Sequence, residues 1–373
     1  MTTISPSDLS TATAPRWLHL LAVVSVLVFA LGLLLTLLRL DVTALLVGLF
    51  GVTRARAALV VLVLGTVLSA VVLRHASGRR RRLALVILTG SLLTAGIGAW
   101  SDRTPYDAVP ISYRSGDAQL AAALYLPPTP GRHPAVVIVH GSAPFKRMFY
   151  HLWADRIARR GFVVLLADKR GVGGSGGEFE RNDNSSSANI TRLAEDVIAG
   201  VEYLTTRAEV DTAHIGLVGL SQAGWVAPRA AERSPRIKFL ALITGPPVST
   251  REEGVWSRLR GDDEAAPEVP RPRAEAILDT LAPGGVDSRG ALAHLTAPSL
   301  WLFGGEDNSI PTAKSVRALV PLAQVGRPVT WRTFEGYGHL LVGRNGALLP
   351  RVAPESWPVL LNWLAKEGAD SVP

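Results

Sequence analysis

The chain has 373 residues, 48% of them hydrophobic and 19% charged, with a mean hydropathy of +0.24. So apolar and lightly charged a composition excludes a disordered polypeptide, and the absence of cysteine excludes disulfides, thiolate metal sites and cysteine nucleophiles. The net charge of +8 is uneven: residues 1–100 carry nine Arg and no Lys against Asp8 and Asp41, while residues 101–373 are close to balance, which excludes the basic face that nucleic-acid binding needs.

In chain order, a tail at 1–16 leads into residues 17–38 (WLHLLAVVSVLVFALGLLLTLL), 22 positions without a charge. As a helix this segment is about 33 Å long, enough to cross a hydrocarbon core of about 30 Å. Residues 57–73 and 83–100 are equally apolar and shorter, and read as two further spans. Residues 41–52 are too short to cross and read as interfacial or re-entrant. A cleaved signal peptide would have a shorter apolar core and no later spans, so 17–100 reads as a transmembrane region held in the bilayer. Its spans contain no Asp, Glu or Lys, and their one histidine, His19, lies near an end. A transporter or proton relay needs polar groups at mid-depth, so the region reads as an anchor. The loop 74–82 carries Arg74, Arg79, Arg80, Arg81 and Arg82, whereas 101–109 has Arg103 against Asp102 and Asp107. Short basic loops stay cytoplasmic, which predicts a cell-membrane protein whose C-terminal domain is extracytoplasmic. Arg39, Arg54 and Arg56 in the preceding loop pull the other way.

After Pro105 the texture changes. Strand-like runs at 118–126, 135–140, 162–167, 215–220, 239–244, 299–304 and 329–334 alternate with helix-like segments at 149–160, 190–207, 223–233 and 312–324. Unbroken apolar runs suit strands buried on both faces of a parallel sheet. The alternation predicts an α/β fold over 105–373, an open and mostly parallel sheet with helices on both faces. In such sheets the site lies beyond the carboxyl ends of the strands. The stretch 246–286, with Pro246, Pro247, Pro267, Pro270, Pro272 and Pro283, breaks the rhythm. It reads as a small cap of irregular structure over the site.

Two serines stand in a Gly-x-Ser-x-small pattern, Ser175 in GGSGG and Ser221 in GLSQA. A nucleophile elbow needs a strand, a sharp turn and then a helix. Ser221 follows the run IGLVGL and precedes the helix-like AGWVAPRAAERS, whereas Ser175 lies among glycines with no helix directly after it. A serine hydroxyl needs a base, usually a histidine oriented by a carboxylate, and on this strand–helix plan both follow the serine. His294 and His339 are the histidines after Ser221. His294 precedes a strand and has no strand-end acid before it. His339 lies in a Gly-rich turn, EGYGH, just past VTWRTF. The acid is expected at the end of SLWLFG, where Glu306 and Asp307 are both candidates and the Gly-x-x-Asp spacing before Pro311 favours Asp307. Asp168, beside Lys169 and Arg170, reads as a structural ion-pair partner of those two neighbours. Backbone N–H donors for an oxyanion are expected from Gln222 and from Ser142 or Ala143 in the loop HGSAP. His140 reads as a structural hydrogen-bonding residue.

These motifs together (VIVHGS at 137–142, DKRGVGGSGG at 168–177, GLVGLSQAG at 216–224, LFGGEDNSIP at 302–311 and GYGHL at 336–340) resemble those of α/β-hydrolase fold serine hydrolases. Bacterial esterases whose oxyanion loop reads HGSGP are particularly similar. The resemblance implies a triad of Ser221, Asp307 and His339, with no metal and no organic cofactor. The second elbow glycine is Ala223 here, and Ala143 replaces the glycine after HGS, followed by the bulky FKRMF. The expected function is a membrane-anchored serine hydrolase cleaving carboxylic esters of a small-molecule acyl substrate through an acyl-enzyme. A peptidase or acyl thioesterase on the same triad is the alternative, with the acidic residues of the cap as a conceivable site for a substrate amine. A catalytically inactive membrane-bound binding protein is the alternative of another class. The partners expected are the acyl substrate and the lipid bilayer, and not nucleic acid.

Overall fold

Residues 106–261, 269–343 and 351–368, with six positions between 74 and 89, are described by the computed structural model. The chain divides into two units, residues 1–103 and 104–373. The expected spans 17–38, 57–73 and 83–100, with the segment 41–52, lie outside the described residues apart from four helical positions between 85 and 89. Among the described residues no helix is long and apolar enough to cross a membrane.

The second unit is built on eight strands: β1 (Asp107–Ser115), β2 (Ala118–Leu126), β3 (His133–Val139), β4 (Val163–Ala167), β5 (Val210–Leu220), β6 (Ile237–Ile243), β7 (Ser299–Gly304) and β8 (Val329–Phe334). They form one sheet in the order β1-β2-β4-β3-β5-β6-β7-β8. The β1–β2 and β2–β4 pairs are antiparallel and the others parallel. The α/β fold expected from the alternation is the one observed. β1 has no counterpart among the predicted strands, because its sequence DAVPISYRS lacks an apolar run and contains Pro110. An edge strand tolerates both, having one side unpaired and one face in solvent.

Strand residues point alternately to the two faces, and both faces are covered. Ala135, Val137 and Val139 belong to the layer containing α2 (Ser187–Thr205), α3 (Ala223–Arg233) and α7 (Thr312–Gln324). Val136 and Ile138 belong to the opposite layer, with α1 (His151–Ala158) and α8 (Ser356–Glu367). This double burial is why the strands read as continuous apolar runs.

The proline-rich stretch after β6 is more regular than its composition implies. It forms α4 (Thr250–Arg260) and α5 (Arg271–Asp279), followed by α6 (Arg289–His294). α4 opens on a full capping box, Ser249 with Glu252, which satisfies two helix-start N–H groups reciprocally. α5 carries its proline in the first turn, where no intrahelical N–H is lost. Trp256, Ala274 and Leu278 form a small apolar cluster between them.

Candidate active site

The site is organised by the turn between β5 and α3. Ser221 occupies it with φ 53°, a left-handed conformation that costs roughly 1–3 kcal/mol in a residue bearing a Cβ. The Ser221 N–H donates to the Ile243 carbonyl at the end of β6, and the Ser221 carbonyl accepts from the Gly224 N–H. The turn tolerates little bulk on either side. A Cβ on Gly219 would lie 2.4 Å from Ala223 Cβ, and one on Gly224 would lie 2.5 Å from the backbone nitrogen of Pro246. Ser175, in contrast, is tied into the loop after β4: its hydroxyl donates to the Asp168 carbonyl (2.7 Å) and accepts from the Ala121 N–H (3.0 Å).

Three of the predicted residues come together. His339 Nε2 stands 3.0 Å from Ser221 Oγ, and His339 Nδ1 stands 3.0 Å from Asp307 Oδ2. Asp307 is fully buried, and its other oxygen accepts from the Ser309 and Ile310 N–H groups (2.9 and 2.8 Å). A carboxylate held this way can turn only one oxygen to the imidazole. Glu306, the other candidate acid, is exposed and lies 3.6 Å from Arg271. His294 is exposed at the end of α6, away from this constellation.

The loop after β3 lies against Ser221, since a Cβ on Gly141 would come within 3.3 Å of Ser221 Cβ. The Gly141 N–H is taken by the Tyr150 hydroxyl (2.8 Å), so the following two amides, of Ser142 and Ala143, are the ones left to meet an oxyanion. The Gln222 N–H begins α3, where first-turn amides lack intrahelical partners.

The charged residues at the end of β4 pair differently from the sequence expectation. Asp168 does not pair with its neighbours. It accepts from the Arg147 backbone N–H (2.8 Å), the Arg147 guanidinium (2.6 Å) and the Gly174 N–H (2.9 Å). Arg170 turns to Asp196 and Asp117. Lys169 is buried and donates to the carbonyls of Gly141 (2.7 Å) and Ser142 (3.1 Å) and to Gln222 Oε1 (2.8 Å). Successive residues leaving a strand point to different sides, so sequence adjacency does not bring their charges together. His140 is buried beside them, its ring packed on Tyr150 at a centroid distance of 4.4 Å and close to the backbone of Ala167 and Phe145. Burial, and secondarily the Lys169 charge, pushes its pKa down to about 3.

Several contributing residues have no motif to announce them. Thr244, with φ 46°, is β-branched in the left-handed region, a genuine outlier. Its hydroxyl accepts from the Leu340 N–H (3.3 Å) next to His339. Asn184 donates to the Ser142 carbonyl (2.7 Å). From the helices after β6, Trp256 Nε1 and Arg271 donate to the Asp307 carbonyl, both at 3.3 Å. Each of these contacts joins residues 36 or more positions apart, so nothing in the neighbouring sequence announces them. Among the described residues no group of three or more His, Asp or Glu is placed to hold a metal ion.

Residues 149–367, more than half of the chain, match the sequence pattern of the prolyl oligopeptidase family. The chain belongs to this family. It is 25% identical over 263 residues to the esterase EstD of Thermotoga maritima, covering 62% of this chain and 60% of that one. In three dimensions it is similar to an esterase of Pyrococcus furiosus, with a TM-score of 0.52 and 17% identity over 70% of this chain and 91% of that one. It is likewise similar to Pyrococcus horikoshii acylaminoacyl peptidase, with a TM-score of 0.53 and 16% identity over 73% and 43% of the two chains. Identities this low speak to the fold alone. The chain spans only 48% and 33% of the length of two other curated bacterial relatives that it matches. The family match gives the chain its family, and the solved structures give its fold.

Proposed function

We propose that the protein cleaves carboxylic esters through an acyl-enzyme, with Ser221 as nucleophile, His339 as general base and then acid, and Asp307 orienting the imidazole. The observation that carries this reading is the unbroken relay from Ser221 Oγ to His339 to Asp307, two contacts of 3.0 Å each, on a strained strand-to-helix turn. Ser221 Oγ attacks the substrate carbonyl while His339 Nε2 takes its proton. The oxyanion is met by the N–H groups of Gln222 and of Ser142 or Ala143. Collapse of the adduct expels the alcohol, which takes the proton back from His339. Water then repeats the sequence on the acyl-enzyme and releases the acid. A short p-nitrophenyl ester and a fluorophosphonate probe test this on the full chain. Ser221→Ala should abolish labelling and lower kcat roughly 10⁴–10⁶-fold; labelling that persists in Ser221→Ala, or moves to Ser175, refutes the assignment.

A peptidase on the same triad is the second reading, supported by the family. An acidic residue free to bind a substrate amine would favour it; of the cap acids Glu252, Glu253, Asp262, Asp263 and Glu264, Glu252 is buried and held by Arg289 (2.9 Å) and Lys314 (3.2 Å), and the last three lie outside the described residues. Rates on an aminoacyl amide, an acyl-CoA and a simple ester of matched acyl group separate the readings, and a kcat/KM highest on the amide would overturn ester cleavage as the main activity. We further propose that residues 17–100 anchor the enzyme with its catalytic domain outside the cytoplasm, on the strength of the five Arg in 74–82. A C-terminal alkaline phosphatase fusion should then be active, and an inactive fusion at normal expression places the domain inside.

A further inference from the structure

Lys169 is a buried cation that the acyl-transfer steps above do not use. Its Nζ meets three oxygens, the carbonyls of Gly141 (2.7 Å) and Ser142 (3.1 Å) and the side-chain oxygen of Gln222 (2.8 Å). Its face-on neighbour is the Phe179 ring, 5.3 Å from Nζ. No carboxylate lies within ion-pair distance of it among the described residues. Taking a charge out of water without a counter-ion is costly, so the three acceptors replace its hydration. Burial pushes its pKa down to about 7; three oxygen acceptors nevertheless call for all three protons of an ammonium, since a neutral amine would turn its lone pair on one of them.

The three acceptors are not random carbonyls. In a trans peptide the C=O and the following N–H point in opposite directions. Drawing the Gly141 and Ser142 carbonyls to Nζ therefore turns the Ser142 and Ala143 N–H groups away from Lys169. Those are the two amides that Tyr150 leaves available, because it takes the N–H of Gly141. The third contact reaches the other half of the oxyanion site, since Gln222 contributes the backbone donor there. A ring of hydrogen bonds closes the arrangement: Gln222 Nε2 donates to the Asn184 carbonyl (2.9 Å), and Asn184 Nδ2 donates to the Ser142 carbonyl (2.7 Å).

We propose that Lys169 is a positioning residue for the oxyanion hole, orienting the Ser142 and Ala143 amides and locking them to Gln222, so that both halves face the developing oxyanion together. The proposal rests on the acyl-transfer reading of Ser221, and it assigns Lys169 no contact with substrate.

The test uses the full chain and a p-nitrophenyl ester, with a trifluoromethyl ketone as inhibitor because its serine adduct bears an oxyanion. Lys169→Met should lower kcat about 10²-fold, the size expected for a misplaced oxyanion donor. Ketone affinity should weaken by a similar factor, while KM stays within about threefold. A folded Lys169→Met with kcat and ketone affinity within about threefold of wild type overturns the proposal. Because the chain has no cysteine, Lys169→Cys can be alkylated at one place only. Alkylation in mild denaturant with 2-bromoethylamine restores an ammonium of lysine length, and a propyl halide installs the same shape without the charge. After refolding, the aminoethyl form should exceed the propyl form at least tenfold in kcat and in ketone affinity. Equal values for the two overturn the proposal. So does failure of every neutral form to fold, which would make Lys169 a folding residue instead. Failure of the underlying reading looks different: a wild type that neither labels with fluorophosphonate nor binds the ketone removes the proposal together with its basis.

Discussion

His140 makes a quantitative claim about acid stability. Its imidazole is buried against Tyr150, and its pKa falls from 6.5 to about 3, first through burial and then through the charge of Lys169. A histidine with a depressed folded-state pKa binds its proton in the unfolded chain before it does so in the folded one. Stability is therefore complete above about pH 6.5 and is lost as pH falls toward 3. Between pH 7.5 and pH 5 the unfolded imidazole becomes almost wholly protonated and the folded one does not. That difference is worth about 2 kcal/mol, with about 5 kcal/mol lost below pH 3. His140→Phe keeps a ring against Tyr150 and removes the titration. Urea unfolding of the full chain, followed by tryptophan fluorescence at both pH values, gives the two changes in stability. His151, whose pKa is also lowered, mainly by burial, contributes with the same sign to both proteins and cancels in the comparison. The wild type should lose about 2 kcal/mol more than His140→Phe on going to pH 5. Equal losses would mean that the imidazole is solvated or protonated in the fold, and would refute the argument.

Two further outcomes follow from packing. A Cβ on Gly216 would lie 2.0 Å from the Phe239 ring, and Phe239 is buried against Trp363, so Gly216→Ala should cost about 1–3 kcal/mol. Combining it with Phe239→Leu should cost less than the sum of the two single changes, and strict additivity in denaturant titrations would show that the ring does not oppose the strand there. Glu252→Ala removes a buried carboxylate from Arg289, Lys314 and the capping box of α4, and should lower stability by about 3–5 kcal/mol. Below its melting transition the variant should keep the wild-type KM for an aminoacyl amide; a KM raised tenfold or more would make Glu252 a substrate contact after all.

Much of this protein is legible from sequence because its functional motifs are local. Ser221, Asp307 and His339 each follow a strand by a few residues, and a strand end followed by Gly-rich turns fixes where the side chain can go before any long-range contact is known. The sheet was legible for the same reason, since strands covered on both faces must be apolar, as β4 is throughout and β3 and β7 are after their first residue. β1 escaped because an edge strand is free of that demand, and α4 and α5 escaped because capping and a first-turn proline, not apolar periodicity, delimit them. Charge pairing was beyond sequence altogether. Asp168, Lys169 and Arg170 are consecutive, yet their partners lie 21, 53 and 26 residues away, in Arg147, Gln222 and Asp196. Which of these are neighbours depends on the crossover order β4-β3-β5, which sets loops from distant parts of the chain side by side at the carboxyl edge of the sheet. Burial then decides the rest: in a place without water each charge must find an acceptor or donor within reach, and only the assembled fold determines what is within reach.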